Sequence, residues 1–180
     1  MCGNAGVANA ERTLNTLTTS YDRNVPRMQS SFLYLQSLEP MLIDLSTPSP
    51  MSSIPTSPDA PEIQSIINNL DAERGSDISI MLGTMRILST SFSDSVISKT
   101  TRELQLATLK VKESLSLMSL DLKQSNYPEA LHHYNEALYY IDIYVGVANA
   151  ALPMNMKIKG PKGETVRRRD EDVVKSEGSF

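Results

Sequence analysis

The stretch 127–152, YPEALHHYNEALYYIDIYVGVANAAL, constrains the fold of this chain more than any other. Its large or apolar side chains fall at Tyr127, Ala130, Leu131, Tyr134, Ala137, Leu138, Ile141, Tyr144, Val145, Ala148, Ala151 and Leu152. These are i, i+3, i+4, i+7 steps, which gather the set into one stripe of a 3.6-residue helix. At 1.5 Å per residue such a helix runs about 38 Å. Ser125 or Asn126 is placed to cap its free N–H groups, Pro128 sits where a missing N–H costs nothing, and Glu129 meets the positive end of the dipole. Pro153 ends it, because proline cannot continue the hydrogen-bond ladder.

Five of the seven tyrosines lie in this stretch. A tyrosine buries a large ring but needs its hydroxyl satisfied or wet. Tyr134, Tyr139, Tyr140 and Tyr144 occupy more than one side of the helix, so it is expected to touch more than one neighbour. One reading makes it the central core helix of a bundle. The other turns part of the tyrosine surface toward a second chain, since tyrosine is enriched at interfaces. All four are interface candidates, with Tyr139 and Tyr140 foremost.

Toward the N-terminus a heptad opens at Val7, Ala10, Leu14, Leu17 and Tyr21, and resumes at Val25, Met28, Phe32, Leu35, Leu42 and Leu45. Pro26 and Pro40 each mark a boundary or a kink. The spacing predicts two helices over 7–22 and 27–45, or one long kinked helix. The surrounding Asn and Thr are mediocre helix formers, so this segment needs a partner. Leu14, Leu17, Phe32 and Leu35 join the interface candidates, as knobs of a coiled-coil-like seam.

Residues 46–61, STPSPMSSIPTSPDAP, read as an extended connector, because five prolines forbid regular structure. Thr47, Ser49 and Ser57 each precede a proline, a context in which phosphorylation occurs. A short amphipathic helix follows on Ile63, Ile66, Ile67 and Leu70, with Gly75 past its end and Ser76 or Asp77 capping the next. The stripe then runs Ile78, Met81, Met85, Leu88, Phe92, Val96, Leu104, Val111, Leu115, Met118 and Leu122. Its continuity predicts one helix over 77–123, although the Ser/Thr-rich run 89–101 weakens the ladder. Beyond Pro153, Met154, Met156 and Ile158 alternate with polar residues, and Gly160–Gly163 is a turn signal, so a β-hairpin arm is predicted over 154–168. A charged tail ends the chain; Arg167, Arg168 and Arg169 are its candidate contact residues. The organisation expected is 1–45 heptad helices, 46–61 linker, 62–153 helical hairpin core, and 154–180 arm and tail.

Charge narrows the partners. The formal net charge is −4, divided into about −6 over residues 1–153 and +2 over 154–180. An acidic body offers no footprint for nucleic acid. Cys2 is the single cysteine, so no internal disulfide forms, which fits a reducing compartment. No apolar segment of a secretory signal follows the start, and the longest apolar run, 139–152, is too short to span a bilayer. A cytoplasmic location, or one within an assembled particle, is expected.

Catalytic chemistry finds little foothold. No nucleophile elbow, phosphate loop, dinucleotide fingerprint or His-Glu-x-x-His occurs. His132 and His133 are adjacent, so on a helix they diverge by about 100° and cannot share a metal from one face; His133 is expected nearer the polar face. Glu129, Glu136 and Asp142 read as a solvated acidic face, with Asp142 a possible ion-pair partner across an interface. No catalytic residue, cofactor, metal or small-molecule substrate is expected.

The segment 125–138, SNYPEALHHYNEAL, resembles the second half of a tetratricopeptide repeat: Tyr127, Ala130, Tyr134, Ala137 and Leu138 match. Microtubule-interacting-and-transport helical hairpins have a similar arrangement. The resemblance spans 114–140 and implies a helical hairpin, with Ala130 and Ala137 allowing close approach. Met118 stands where the repeat prefers glycine, and no second copy follows at a 34-residue period. The Met1–Cys2 opening, with the length and helicity, is similar to small internal virion proteins of short-tailed phages. The fold class expected is all-α, an elongated antiparallel bundle with coiled-coil-like seams. The function expected is a non-enzymatic subunit or accessory component of a larger complex, a viral one included, with protein partners and homo-oligomerisation. The alternative is an adaptor holding a peptide or partner helix in a groove beside 127–152.

Overall fold

A computed structural model describes residues 5–47, 58–93 and 98–161, with side chains described from residue 14 onward. Among the described residues every regular element is helical: α1 Ala5–Ser46, α2 Pro61–Asp71, α3 Asp77–Thr90, α4 Lys99–Lys123 and α5 Tyr127–Ala151. None of these helices is long and apolar enough to cross a membrane.

The N-terminal heptad becomes one helix, with Pro26 and Pro40 inside it. An interior proline removes a backbone hydrogen bond and costs about 3 kcal/mol. Both prolines are exposed, where water reaches the carbonyls they leave free. The inward face carries Leu17, Val25, Met28, Phe32, Leu35, Leu38, Leu42 and Leu45, all buried. Burying each such side chain contributes about 1.5–3 kcal/mol, which outweighs two lost ladder bonds.

The predicted helix over 77–123 is instead two helices. α3 stops at Thr90, where the N–H of Ser91 bonds the carbonyl of Leu88. α4 restarts at Lys99 behind Ser98, whose hydroxyl accepts from the Thr101 N–H at 3.0 Å. Serine side chains thus take backbone partners that a continuous helix would have used. The break folds α3 back against α4, so the stripe on both halves reaches a single core.

α4 and α5 form an antiparallel hairpin with the most extensive contact in the chain. The turn is a Schellman closure: the Asn126 N–H bonds the Asp121 carbonyl at 2.9 Å and the Ser125 N–H bonds that of Leu122 at 3.2 Å. Ser125 stands at φ 58°, where glycine is the usual occupant. Neither Ser125 nor Asn126 caps α5 through its side chain: Ser125 ends α4, and Asn126, at the N-cap, makes no side-chain cap bond. Ser125→Gly is expected to stabilise the chain by about 1 kcal/mol, read as a raised urea midpoint with unchanged m.

α1 packs along α3 on one side and α5 on the other, α3 packs on α4, and α2 closes over α3 and α4. Hydrogen bonds between residues far apart in sequence tie α1 to both neighbours. Ser91 donates to Ser20 at 2.7 Å across α1 and α3, while Tyr134 donates to the Leu35 carbonyl at 3.0 Å across α5 and α1. Asp71 ties α2 to α4, taking the Ser119 hydroxyl at 2.6 Å and the Lys123 ammonium at 2.6 Å.

Residues 154–161 form no strand, and 162–168 lie outside the described residues. What holds 154–161 is the end of α5. Asn149 donates to the Ile158 carbonyl and accepts its N–H, both at 2.8 Å, as a neighbouring strand would. Lys157 reaches the Asn149 and Leu152 carbonyls, setting a positive charge at the negative end of the helix. Tyr21 donates to the Lys157 carbonyl at 2.9 Å, and Met156 and Ile158 are buried beneath. Met154 is 92% exposed, so the alternation noted in the sequence reports burial of only Met156 and Ile158, without strand pairing. Asn149→Ala leaves the Ile158 amide and carbonyl without partners; we expect a loss of about 2 kcal/mol, and faster amide exchange at Ile158 than at Leu104.

Candidate interaction surface

The tyrosines of α5 divide by face. Tyr134 and Tyr144 are fully buried within their own chain. The Tyr144 hydroxyl donates to the Met85 carbonyl of α3 at 2.8 Å, matching the Tyr134 bond to α1. Burial pushes both phenols well above the usual tyrosine range, with Glu39 adding to the effect at Tyr134. Both were interface candidates; enclosed on every side, they offer no surface to a partner. The same correction holds for Leu17, Phe32 and Leu35, whose seam is filled by helices of the same chain. Leu14, by contrast, is 51% exposed. Arg167, Arg168 and Arg169 lie outside the described residues.

Tyr139 and Tyr140 meet edge to face, with ring centroids 5.4 Å apart. Tyr140 is half-buried and packs on the core, whereas Tyr139 is 58% exposed. One turn on, Ile143 is 37% exposed. Gly146, half-buried, and Ala150, exposed, continue the same face, while Val147 beside them packs partly on the core. A side chain added at Gly146 would meet nothing within 4 Å, so the backbone there is open to close approach. Over 137–153 the only formally charged residue is Asp142. The outer face of the C-terminal half of α5 is thus apolar, aromatic and nearly uncharged. Leu106, Leu109, Leu117 and Leu120 are also exposed on α4, but Lys110, Lys112, Glu113 and Lys123 interrupt them.

A polar cluster sits at the other end of the hairpin. Its members come from both helices: Ser114 and Asp121 from α4, His133 and Glu136 from α5. Ser114 donates to Glu136 Oε2 at 3.0 Å, and His133 Nδ1 lies 3.3 Å from the same oxygen. His133 Nε2 faces Asp121 Oδ2 at 3.6 Å, an oxygen that is buried and without a hydrogen bond. His133, expected nearer the polar face, is partly buried, with 19% of its side chain exposed, and His132 is the more exposed of the pair.

Serine, histidine and carboxylate are the ingredients of acyl-transfer chemistry, but the order here is unsuitable. A nucleophilic serine must give its proton to the imidazole. Ser114 gives it to Glu136 and is 2% exposed, and both imidazole nitrogens face carboxylates. The arrangement is a clasp between α4 and α5. No group of three or more His, Cys, Asp or Glu among the described residues is arranged to hold a metal ion.

The Ser114 hydrogen bond, helped by His133, holds the Glu136 carboxyl below the usual carboxylate range. A carboxyl with a lower pKa folded than unfolded stabilises the fold above its unfolded value, about 4.3. That contribution is lost as the pH falls through the folded value. In Ser114→Ala the Glu136 titration, followed by carboxyl NMR, is expected to move up toward about 4.3, and stability should fall less steeply below that pH.

No family model, curated protein or solved structure matches this chain.

Proposed function

We propose that this chain is a non-enzymatic assembly subunit that associates with a second copy of itself through the outer face of α5. One observation carries the reading: Tyr139, Ile143, Gly146 and Ala150 form an apolar, nearly charge-free strip on a body of net charge about −6. Two acidic bodies repel wherever carboxylates face one another, and the strip is where that repulsion is least. A self-complementary contact also needs the same patch on both copies, which an uncharged strip satisfies. Gly146 lets two helices approach closely, and Tyr139 supplies the amphipathic anchor typical of interface centres. The remaining helices, an antiparallel bundle in this reading, serve to hold α5 rigid.

Sedimentation equilibrium on the full chain tests the reading. A mass that rises with concentration from one chain to two or more supports it; a single-chain mass at every concentration overturns it. A groove of the chain lies away from α5, between α1 and α3.

A further inference from the structure

That groove has a chemistry of its own. It encloses about 310 Å³ and is lined by Arg23, Asn24 and Arg27 of α1 and by Ile80, Gly83, Thr84 and Ile87 of α3, among others. Arg23 and Arg27 are one helical turn apart and exposed, and neither pairs with a carboxylate among the described residues. Two unpaired guanidinium groups are conspicuous on an acidic body. Ile80 and Ile87 are 40% and 53% exposed. Between them Gly83 interrupts a helix at a cost of about 1 kcal/mol relative to alanine. A side chain at 83 would meet nothing within 4 Å, so the floor of the groove is open backbone. The groove therefore presents two cations beside two apolar side chains across a flat floor.

The chain carries a segment of complementary chemistry: Asp170, Glu171 and Asp172 followed by Val173 and Val174. Its tether is short and correctly placed. Residues 156–158 are anchored against Thr18 and Tyr21, one turn before Arg23 and Asn24. The nine residue-to-residue steps from Pro161 to Asp170 reach about 30 Å when extended, ample to cross α1. We propose that residues 170–174 dock in the α1–α3 groove of the same chain, carboxylates on Arg23 and Arg27 and valines on Ile80 and Ile87. This inference is independent of the α5 contact, which uses another helix.

The test uses the full chain with Cys2→Ser and Ser176→Cys, carrying a nitroxide at position 176. Docking broadens the amide signals of Gly83 and Ile87. Arg23→Glu with Arg27→Glu should reduce that broadening about tenfold, the size expected when two favourable surface ion pairs become repulsive. Reversing Asp170, Glu171 and Asp172 to Arg in that background should restore it, which a merely misfolded variant cannot do. Absence of broadening in the parent chain, or broadening untouched by the reversal at Arg23 and Arg27, overturns the proposal. So does broadening that appears when spin-labelled chains are mixed with isotope-labelled, unlabelled ones, because the occupant is then a second copy.

Discussion

Tyr144→Ala is expected to destabilise the chain by about 3–5 kcal/mol and to lower Tm by roughly 10 °C. The ring is fully buried on the inner face of α5, and its hydroxyl spans to the Met85 carbonyl of α3. Removing it leaves a cavity at the centre of the packing. Tyr144→Phe separates the two contributions: the ring stays, and the loss should be about 0.5–1.5 kcal/mol for one neutral hydrogen bond. Alkaline pH adds a second signature. The folded phenol is raised by burial, so its stabilisation is complete below the unfolded value of about 10 and declines as the pH climbs above it. Tyr144→Phe should show a shallower loss above pH 10. Thermal and urea unfolding of the two variants checks all three points.

Ile143→Asp should do the reverse, sparing the fold and breaking the assembly. Ile143 is 37% exposed on the outer face, so the substitution should alter monomer stability by no more than about 0.5 kcal/mol. At a self-association contact the same change buries an unpaired charge opposite its own copy. The dissociation constant is expected to rise by about 100-fold or more, measured by sedimentation. The contrast between positions 143 and 144 is informative because the two are neighbours in sequence. In the proposed assembly the first faces the partner, whereas the second is buried in the core.

That contrast also marks what was legible in the chain. Spacing alone put Tyr127, Tyr134 and Tyr144 in one stripe and left Tyr139 and Tyr140 outside it. What spacing lacks is the identity of the neighbour. A buried stripe satisfied by the same chain and one satisfied by a partner read alike, so Tyr134, Tyr144, Leu17, Phe32 and Leu35 passed as interface candidates. Paired Tyr139 and Tyr140 were split only by the fold, which packs the second on the core. The helices followed from 3.6-residue periodicity, although a strand arm was expected over 154–168, and Ser76, one of the two residues placed to cap α3, does so.

The predicted 77–123 helix shows the opposite limit. A stripe that stays in phase across a loop looks continuous, and only local hydrogen bonds of Ser91 and Ser98 reveal the break. Pro26 and Pro40 left two forms open, two helices or one, and the single helix holds because a proline on the wet face of a well-buried helix need not end it. The clasp at Asp121, His133 and Glu136 needed the hairpin register, which no single helix supplies. The Arg23–Arg27 groove drew no attention in the sequence, since two arginines one turn apart usually mark a solvated face. It became visible once α3 brought Ile80, Gly83 and Ile87 alongside.

The claim that the outer face of α5 meets a second copy is tested most directly by a photocrosslinker at position 139. Benzoylphenylalanine in place of Tyr139 keeps an aromatic ring of similar reach at the centre of the strip. The expected result is a covalent dimer on irradiation, with the crosslinked peptide mapping to α5 of the second chain, and its loss in the Ile143→Asp background. Crosslinks confined to one chain, or a dimer joined at a different helix, would contradict the account.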